Sequence, residues 1–394
     1  MLDIERVRRE TPGCEQVIHL NNAGAALVPG VVLETVKGHL DLEAHMGGYE
    51  AARKVAARLD AVYDSLARLI HAEPDEIAVV ENATRAWDMV FYSLNFRPGE
   101  RILTSQAEYA SNFIAYLQTA RRTGAVVEVI SNDEHGQLDV AALAKRMDER
   151  VRLISITHVP TNGGLVNPAA EVGKIARAWQ VPYLLDACQS VGQMPIDVGE
   201  IGCDMLSATS RKYLRGPRGV GFLYVRRELL HHLEPPFLDL HAATWTSPEH
   251  YELDPTAKRF ENWECNIAAK LGFGRAVDYA LEQKVEVTWP YIQTLAEALR
   301  GRLAEVPGVT VRDVGQVRCG IVSFTLEGVR PDRLRDYLTH QTINVNVSRA
   351  PSTLLDMKAR NIGELVRASV HYYNSEAELN RFTEALHAYR AVGV

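Results

Sequence analysis

The sequence predicts an α/β protein, with a large domain on a mostly parallel sheet and a smaller α+β domain at the C-terminal end. Two observations predict it. Strand-like and helix-like segments alternate from EIAVV to VGFLYV, the pattern of βα units with helices on both faces of a parallel sheet. After about residue 265 the pattern changes to long helices followed by a run of strands. The bulk composition allows this. With 394 residues, 46% hydrophobic and 24% charged, the chain can bury sizeable cores and is not composed like a disordered segment.

The elements follow in order. AARKVAARLDAVYDSLARLI reads as a helix from about residue 50, and EIAVV as a strand. RILTS, AVVEVI, VRLISIT, VPYLLDA, DMLSAT and VGFLYV are rich in β-branched and aliphatic residues and read as further strands. NFIAYLQTARR, VAALAKRMD and AAEVGKIARAW between them carry helical periodicity. Pro235–Ala257 has little periodicity and is expected to be a functional or interface loop. AAKLGFGRAVDYALE and YIQTLAEALRGRLAE read as long helices. VTVRDV, GIVSFTL and INVNVS follow as strands, and EAELNRFTEALHAYR as a last helix.

Several function classes are disfavoured. A net charge of −7 opposes nucleic-acid binding through a basic face. No apolar run is long enough to span a membrane, and the polar start MLDIERVRRE gives the expectation of a cytoplasmic protein. Cys14, Cys188, Cys203, Cys265 and Cys319 lack CxxC spacing, so no metal site or dithiol is expected. Most should be small core residues.

Ligands of open parallel sheets bind at the carboxyl ends of the strands. The residues there are Asn82–Thr84, Glu108–Asn112, Thr161–Gly164, Asp186–Gln189 and Thr209–Lys212. Asp186 ends the apolar strand VPYLL, and Lys212 follows DMLSATS. Taken alone, Asp186 is equally a turn or cap residue and Lys212 a surface charge. Together, on successive strand ends, they suit a desolvated lysine that forms a Schiff base, with an acid facing a pyridine nitrogen. GPRGVG suggests a nucleotide loop instead, but it precedes a strand rather than joining a strand to a helix.

These residues, with TSRKYLRGPRGVG and the C-terminal VRASVHYYN, carry a resemblance that runs from LNNAG to VRASVHYYNSEAELNRF. The chain resembles the class V aminotransferase family of fold-type-I pyridoxal 5'-phosphate (PLP) enzymes, which includes cysteine desulfurases, C–S lyases and isopenicillin-N-epimerase-like proteins. The resemblance implies PLP as cofactor and a seven-stranded type of large-domain sheet. It divides the chain into an arm over 1–20 packed on the small domain, a PLP-binding domain over 21–264 and a small domain over 265–394. Lys212 is the implied Schiff-base lysine and Asp186 the partner of the pyridine nitrogen. Gln189 and Asn162 are implied near the phenolic oxygen. Ala83 and Thr84, at a helix start, are implied at the phosphate, where an N-cap by Asn82 or Thr84 is the plainer reading.

Two positions depart from the family pattern. Thr209 and Arg211 replace the serine and histidine of SxHK, so Arg211 brings a permanent charge to the phosphate end. Tyr109 takes the ring-stacking place often held by histidine. With an ordinary pKa of about 10 it is a poorer proton carrier, and a plain core aromatic is its competing reading.

Arg367 resembles the arginine that binds the substrate carboxylate, and Asn22 lies in the turn expected to close over the substrate. His241, Trp245 and Trp263 lie in stretches similar to those that reach a neighbouring subunit's site, which implies a homodimer. Arg259 or Trp263 packed in a subunit core is the alternative.

The resemblance leaves the reaction open. Desulfurases of this family carry a thiol on the loop before the final arginine segment, but VNVSRAPSTLLDMKARN has none, and Cys319 lies upstream in a strand. The expectation is therefore a C–S lyase that eliminates the β-substituent of an S-substituted cysteine or its sulfoxide, a thiol conjugate, and not a persulfide-forming desulfurase. Arg349, Ser348 and Ser352 would read the substrate's distal end. Transamination or oxidative deamination, epimerisation and a PLP-bound scaffold without catalysis are the alternatives.

Overall fold

The computed structural model describes residues 2–391. Seven strands form the large sheet in the order Ile77–Val80, Gly221–Val225, Met205–Thr209, Tyr183–Asp186, Val151–Thr157, Arg101–Ser105 and Val126–Ile130. All neighbours pair in parallel except Gly221–Val225, which is antiparallel to both of its own. Alternate strand residues serve opposite faces. Leu185, Leu206 and Phe222 join one apolar core, and Leu184, Met205 and Leu223 the other. Burial on both faces explains why these strands read as continuous apolar runs.

The chain leaves Arg101–Ser105 for the edge strand Val126–Ile130, then returns to the other side of Arg101–Ser105 as Val151–Thr157. The sheet thus has a switch point beside the carboxyl end of Arg101–Ser105, where a crevice is expected.

A second, antiparallel sheet runs Val309–Val311, Ile321–Leu326, Glu364–Ser369, Asn346–Arg349. Its core takes Ile292, Leu295 and Leu299 from the helix Val285–Glu305, and Leu379, Phe382 and Leu386 from Glu376–Ala391. Val7, Ile18 and Leu20 join the same core.

Three features differ from the sequence reading. Helix Ile267–Gln283, placed after the break at 265, sends Ala269, Phe273, Val277 and Ala280 into the large-domain core. Lys284, with a φ of +61°, separates that helix from Val285–Glu305, and the change of core follows it, between Val285 and Ile292. The stretch expected as a loop contains an antiparallel hairpin, Ala243–Ser247 with His250–Leu253; it is short and largely exposed, so it carries little apolar signal. INVNVS is split into Ile343–Asn344, which pairs with Ile18–His19, and Asn346–Arg349, which pairs with Glu364–Ser369.

Candidate cofactor and active site

A cavity of ≈ 230 Å³ opens at the carboxyl ends of the parallel strands. Asn82, Ala83, Thr84, Tyr109, Thr157, Val159, Thr161, Asp186, Cys188, Gln189, Thr209, Arg211 and Lys212 line it. Each follows or ends a strand of the large sheet, so the fold itself gathers them.

One wall is a helix start. Asn82 caps Ala83–Phe91 by accepting from the Arg85 N–H at 2.9 Å, and leaves the earlier amides at the cavity rim. Gly221 makes this approach possible: a Cβ there would meet the Ala83 nitrogen at 3.0 Å and the Ala208 carbonyl oxygen at 2.6 Å. A glycine of the RGPRGVG run thus seats a helix N-terminus against the sheet, where the helix dipole favours an anion.

Lys212 and Asp186 stand at the same cavity. Asp186 is buried, and its carboxylate accepts from the Cys188 N–H at 3.0 Å and from Asn112 Nδ2 at 2.9 Å. The Lys212 side-chain amine makes no hydrogen bond or ion pair with any described residue, although its main-chain carbonyl accepts from the Arg215 N–H at 2.9 Å. Burial depresses its pKa, with Cys188 and Asp186 opposing the shift and Arg211 and Arg367 adding to it. The Cys188 thiol beside them is pushed up by burial and by Asp186, so it is held as the neutral thiol.

Arg367, in the strand Glu364–Ser369, is buried yet has no carboxylate partner among the described residues. Its Nη1 donates to the Thr161 carbonyl at 3.1 Å and to Thr161 Oγ1 at 2.6 Å, whereas its Nε has no partner. Burial lowers it to about 10, with Tyr213 and Tyr109 opposing and Arg211 adding to the shift. Two cationic side chains, Arg211 and Lys212, thus line the cavity with Asp186 as the acid, and Arg367 stands behind the lining residue Thr161, an arrangement suited to an anionic guest.

The other expected residues divide. Tyr109, Thr209, Arg211, Gln189, Ala83 and Thr84 are at the cavity. Arg211 also donates through Nη1 to the Gly24 carbonyl, tying the cavity to the LNNAG turn. Gln189 donates through Nε2 to the Ala23 carbonyl at 3.0 Å, while its Oε1 is buried and unpartnered.

Asn162 is set back from the lining: its Nδ2 donates to Ser352 Oγ at 3.0 Å and Thr353 Oγ1 at 2.9 Å. Asn22 does not face the cavity as expected. Its Nδ2 donates to the Ser369 carbonyl at 2.7 Å and its Oδ1 accepts from the Tyr373 hydroxyl, so its amide clamps the N-terminal turn to the small domain. Arg349 is likewise displaced from the distal-end role. It lies on the small-domain surface, bound to Asp332 at 2.8 Å and Glu364 at 3.1 Å.

Trp245 is 78% exposed and Trp263 52%, while His241 is half-buried and 3.3 Å from Glu261. Arg259 is a core residue that donates to the carbonyls of Asp254 and Leu230.

Sequence reasoning placed Glu108, Asn112, Cys188 and Thr161 at strand ends but gave them no role. Their position after a strand was the available signal.

The profile of the Aminotransferase class-V family matches residues 18–382. The chain belongs to that family and is a PLP-dependent enzyme of fold type I. It is 28% identical over 396 residues to a protein of Methanothermobacter thermautotrophicus named "Probable cysteine desulfurase", covering 99% of this chain and 98% of that one. It is also 28% identical to the cysteine desulfurase of Dickeya dadantii, with 98% and 96% covered. The apo cysteine desulfurase of Thermococcus onnurineus superposes with a TM-score of 0.92 at 26% identity, with 99% of this chain and 98% of that one covered. The cystine C–S lyase C-DES shares the fold, with a TM-score of 0.86 at 24% identity over 96% and 99% of the two chains.

These findings overturn the expectation of a lyase for S-substituted cysteines that excludes desulfurases. The missing loop thiol concerns which thiol accepts the sulfur, not whether the chain belongs with the desulfurases.

The residues present fit PLP. A free amine faces a buried acid across a cavity with a helix N-terminus, Thr209 and Arg211 at its edge, and Gln189 Oε1 remains unpartnered beside it. Lys212 would anchor the cofactor, Asp186 would hold the proton on its ring nitrogen, and Ala83, Thr84, Thr209 and Arg211 would face its phosphate. When bound, PLP supplies an electron sink next to the substrate's α-carbon.

Proposed function

We propose that this enzyme removes sulfur from L-cysteine. The buried Arg367 carries the proposal: a guanidinium with no carboxylate of its own, beside Lys212, suits the α-carboxylate of a bound amino acid. Desulfurase-named relatives aligned over nearly the whole chain support cysteine as that amino acid. Lys212 moves the proton at the α-carbon, Arg367 fixes the carboxylate, and Tyr109 covers the cavity and limits water.

Because the segment 345–361 holds no cysteine, an external thiol takes the sulfur. Cysteine and RSH give alanine and RSSH, with every atom conserved. The exposed Trp245, Trp263, Phe237 and Leu240 support a homodimer that covers them.

Incubation with L-cysteine and dithiothreitol tests the proposal. Alanine and sulfide should appear in equal amounts. Pyruvate and ammonia in place of alanine would overturn it.

A further inference from the structure

We propose that Glu108 is a positioning residue of the cofactor site, a second buried carboxyl that holds Asp186 through Asn112 and Tyr109 through the main chain. The inference goes beyond the choice of substrate and rests only on PLP occupying the cavity.

Glu108 lies between the strand Arg101–Ser105 and the helix Ala110–Thr123, and is 3% exposed. Five donors converge on it. Its Oε1 accepts from the Tyr109 N–H at 2.8 Å, from Asn112 Nδ2 at 2.9 Å and from the Thr157 hydroxyl. Its Oε2 accepts from the Thr157 N–H at 3.0 Å and Thr104 Oγ1 at 3.1 Å. Three of the five are nitrogen donors that cannot accept in return. No arginine or lysine pairs with it among the described residues. Burial raises its pKa to about 7, the hydrogen bonds opposing the shift and Asp186 adding to it.

Asn112 makes the connection. Its Nδ2 also donates to Asp186 Oδ2 at 2.9 Å, so one amide nitrogen serves both carboxyls. A turned amide would set its oxygen against two carboxyl oxygens, which fixes its orientation and that of Asp186. Glu108 meanwhile pins the Tyr109 N–H, from which the ring at the cavity departs. The edge and one face of the cofactor cavity therefore share a single buried anchor. A glutamine would not replace it, because its NH2 would meet donors already aimed inward.

The test compares Glu108→Gln and Glu108→Asp, each alone and with Asn112→Ala. Its readouts are the PLP dissociation constant of the apo-protein and the pH midpoint of the cofactor's visible absorbance. Besides Glu108, the titratable groups that act on it or on Asp186 are Asp186 itself, Tyr116, Tyr183, Cys188 and Lys212. We expect both Glu108 variants to weaken PLP binding at least fivefold and to move the midpoint by half a pH unit or more. In the Asn112→Ala background the midpoint shift should largely vanish. Should Glu108→Gln fail to fold, Glu108→Asp decides alone by the same criteria. Wild-type affinity and midpoint in a folded Glu108 variant, or a midpoint shift that simply adds to that of Asn112→Ala, would overturn the proposal.

Discussion

Glu108 and Glu261 are both 3% exposed, yet their surroundings shift them in opposite directions. Glu261 sits beneath the segment that carries Trp263. It accepts from both the Tyr63 hydroxyl and the Val79 N–H, with His241 at 3.3 Å and Lys270 at 3.5 Å. Burial would raise its pKa, but His241, Lys270 and these hydrogen bonds lower it on balance. Glu108 has only neutral donors and Asp186 nearby, and burial prevails. At the edge of the sheet a buried charge is neutralised, which makes an anchor. Behind the cavity Glu108 is held by neutral donors alone, and the cations left without a carboxylate among the described residues are Arg211, Lys212 and Arg367, where a charged guest binds.

The two acids have opposite consequences for pH. Glu261, with its folded pKa lowered, stabilises the fold above the ordinary carboxylate range, and this is lost as pH falls through its folded pKa. Glu108, with its folded pKa raised, holds its proton longer in the folded state. Its contribution therefore declines as pH rises from the ordinary glutamate value of 4.5 to about 7.

Substitutions can break this contrast, beginning with the largest expected effect. Lys212→Ala should lower turnover by at least about 10³-fold while the apo-protein melts within a few degrees of wild type, since the amine pairs with no described residue. Steady-state kinetics and calorimetry check this.

Glu261→Gln should show the reverse: a loss of about 3 kcal/mol in unfolding free energy, with PLP absorbance per folded molecule unchanged. Denaturant titration above pH 7 measures it, and the difference should shrink on acidification.

Arg367→Ala should lower kcat/KM by about 10²-fold, mainly by raising KM, as expected when a charge-assisted carboxylate contact is lost. A decrease in kcat alone would place Arg367 outside substrate binding.

Much of this was legible in the sequence. Strand periodicity places Asp186 and Lys212 on adjacent strand ends, and parallel-sheet geometry then brings them to one crevice. What could not be read was long-range pairing. Glu108 depends on Thr157 and Asp186 from two other strands. Arg349 looked free in VNVSRAP because its partners Asp332 and Glu364 lie 17 and 15 residues away. Asn22 in LNNAG looked available because Ser369 and Tyr373 are more than 340 residues away. The hairpin at Ala243–Ser247 was missed because exposed strands bury little apolar surface and leave a faint pattern.

The central claim, that Lys212 is the amine left unpaired to hold the cofactor, has a direct measurement. The PLP-loaded enzyme is reduced with borohydride, digested and mapped by mass spectrometry. The account predicts the added cofactor mass on the peptide containing Lys212 and its loss in Lys212→Ala. Labelling of Lys270 or another lysine instead, or no label on a PLP-saturated enzyme, would contradict it.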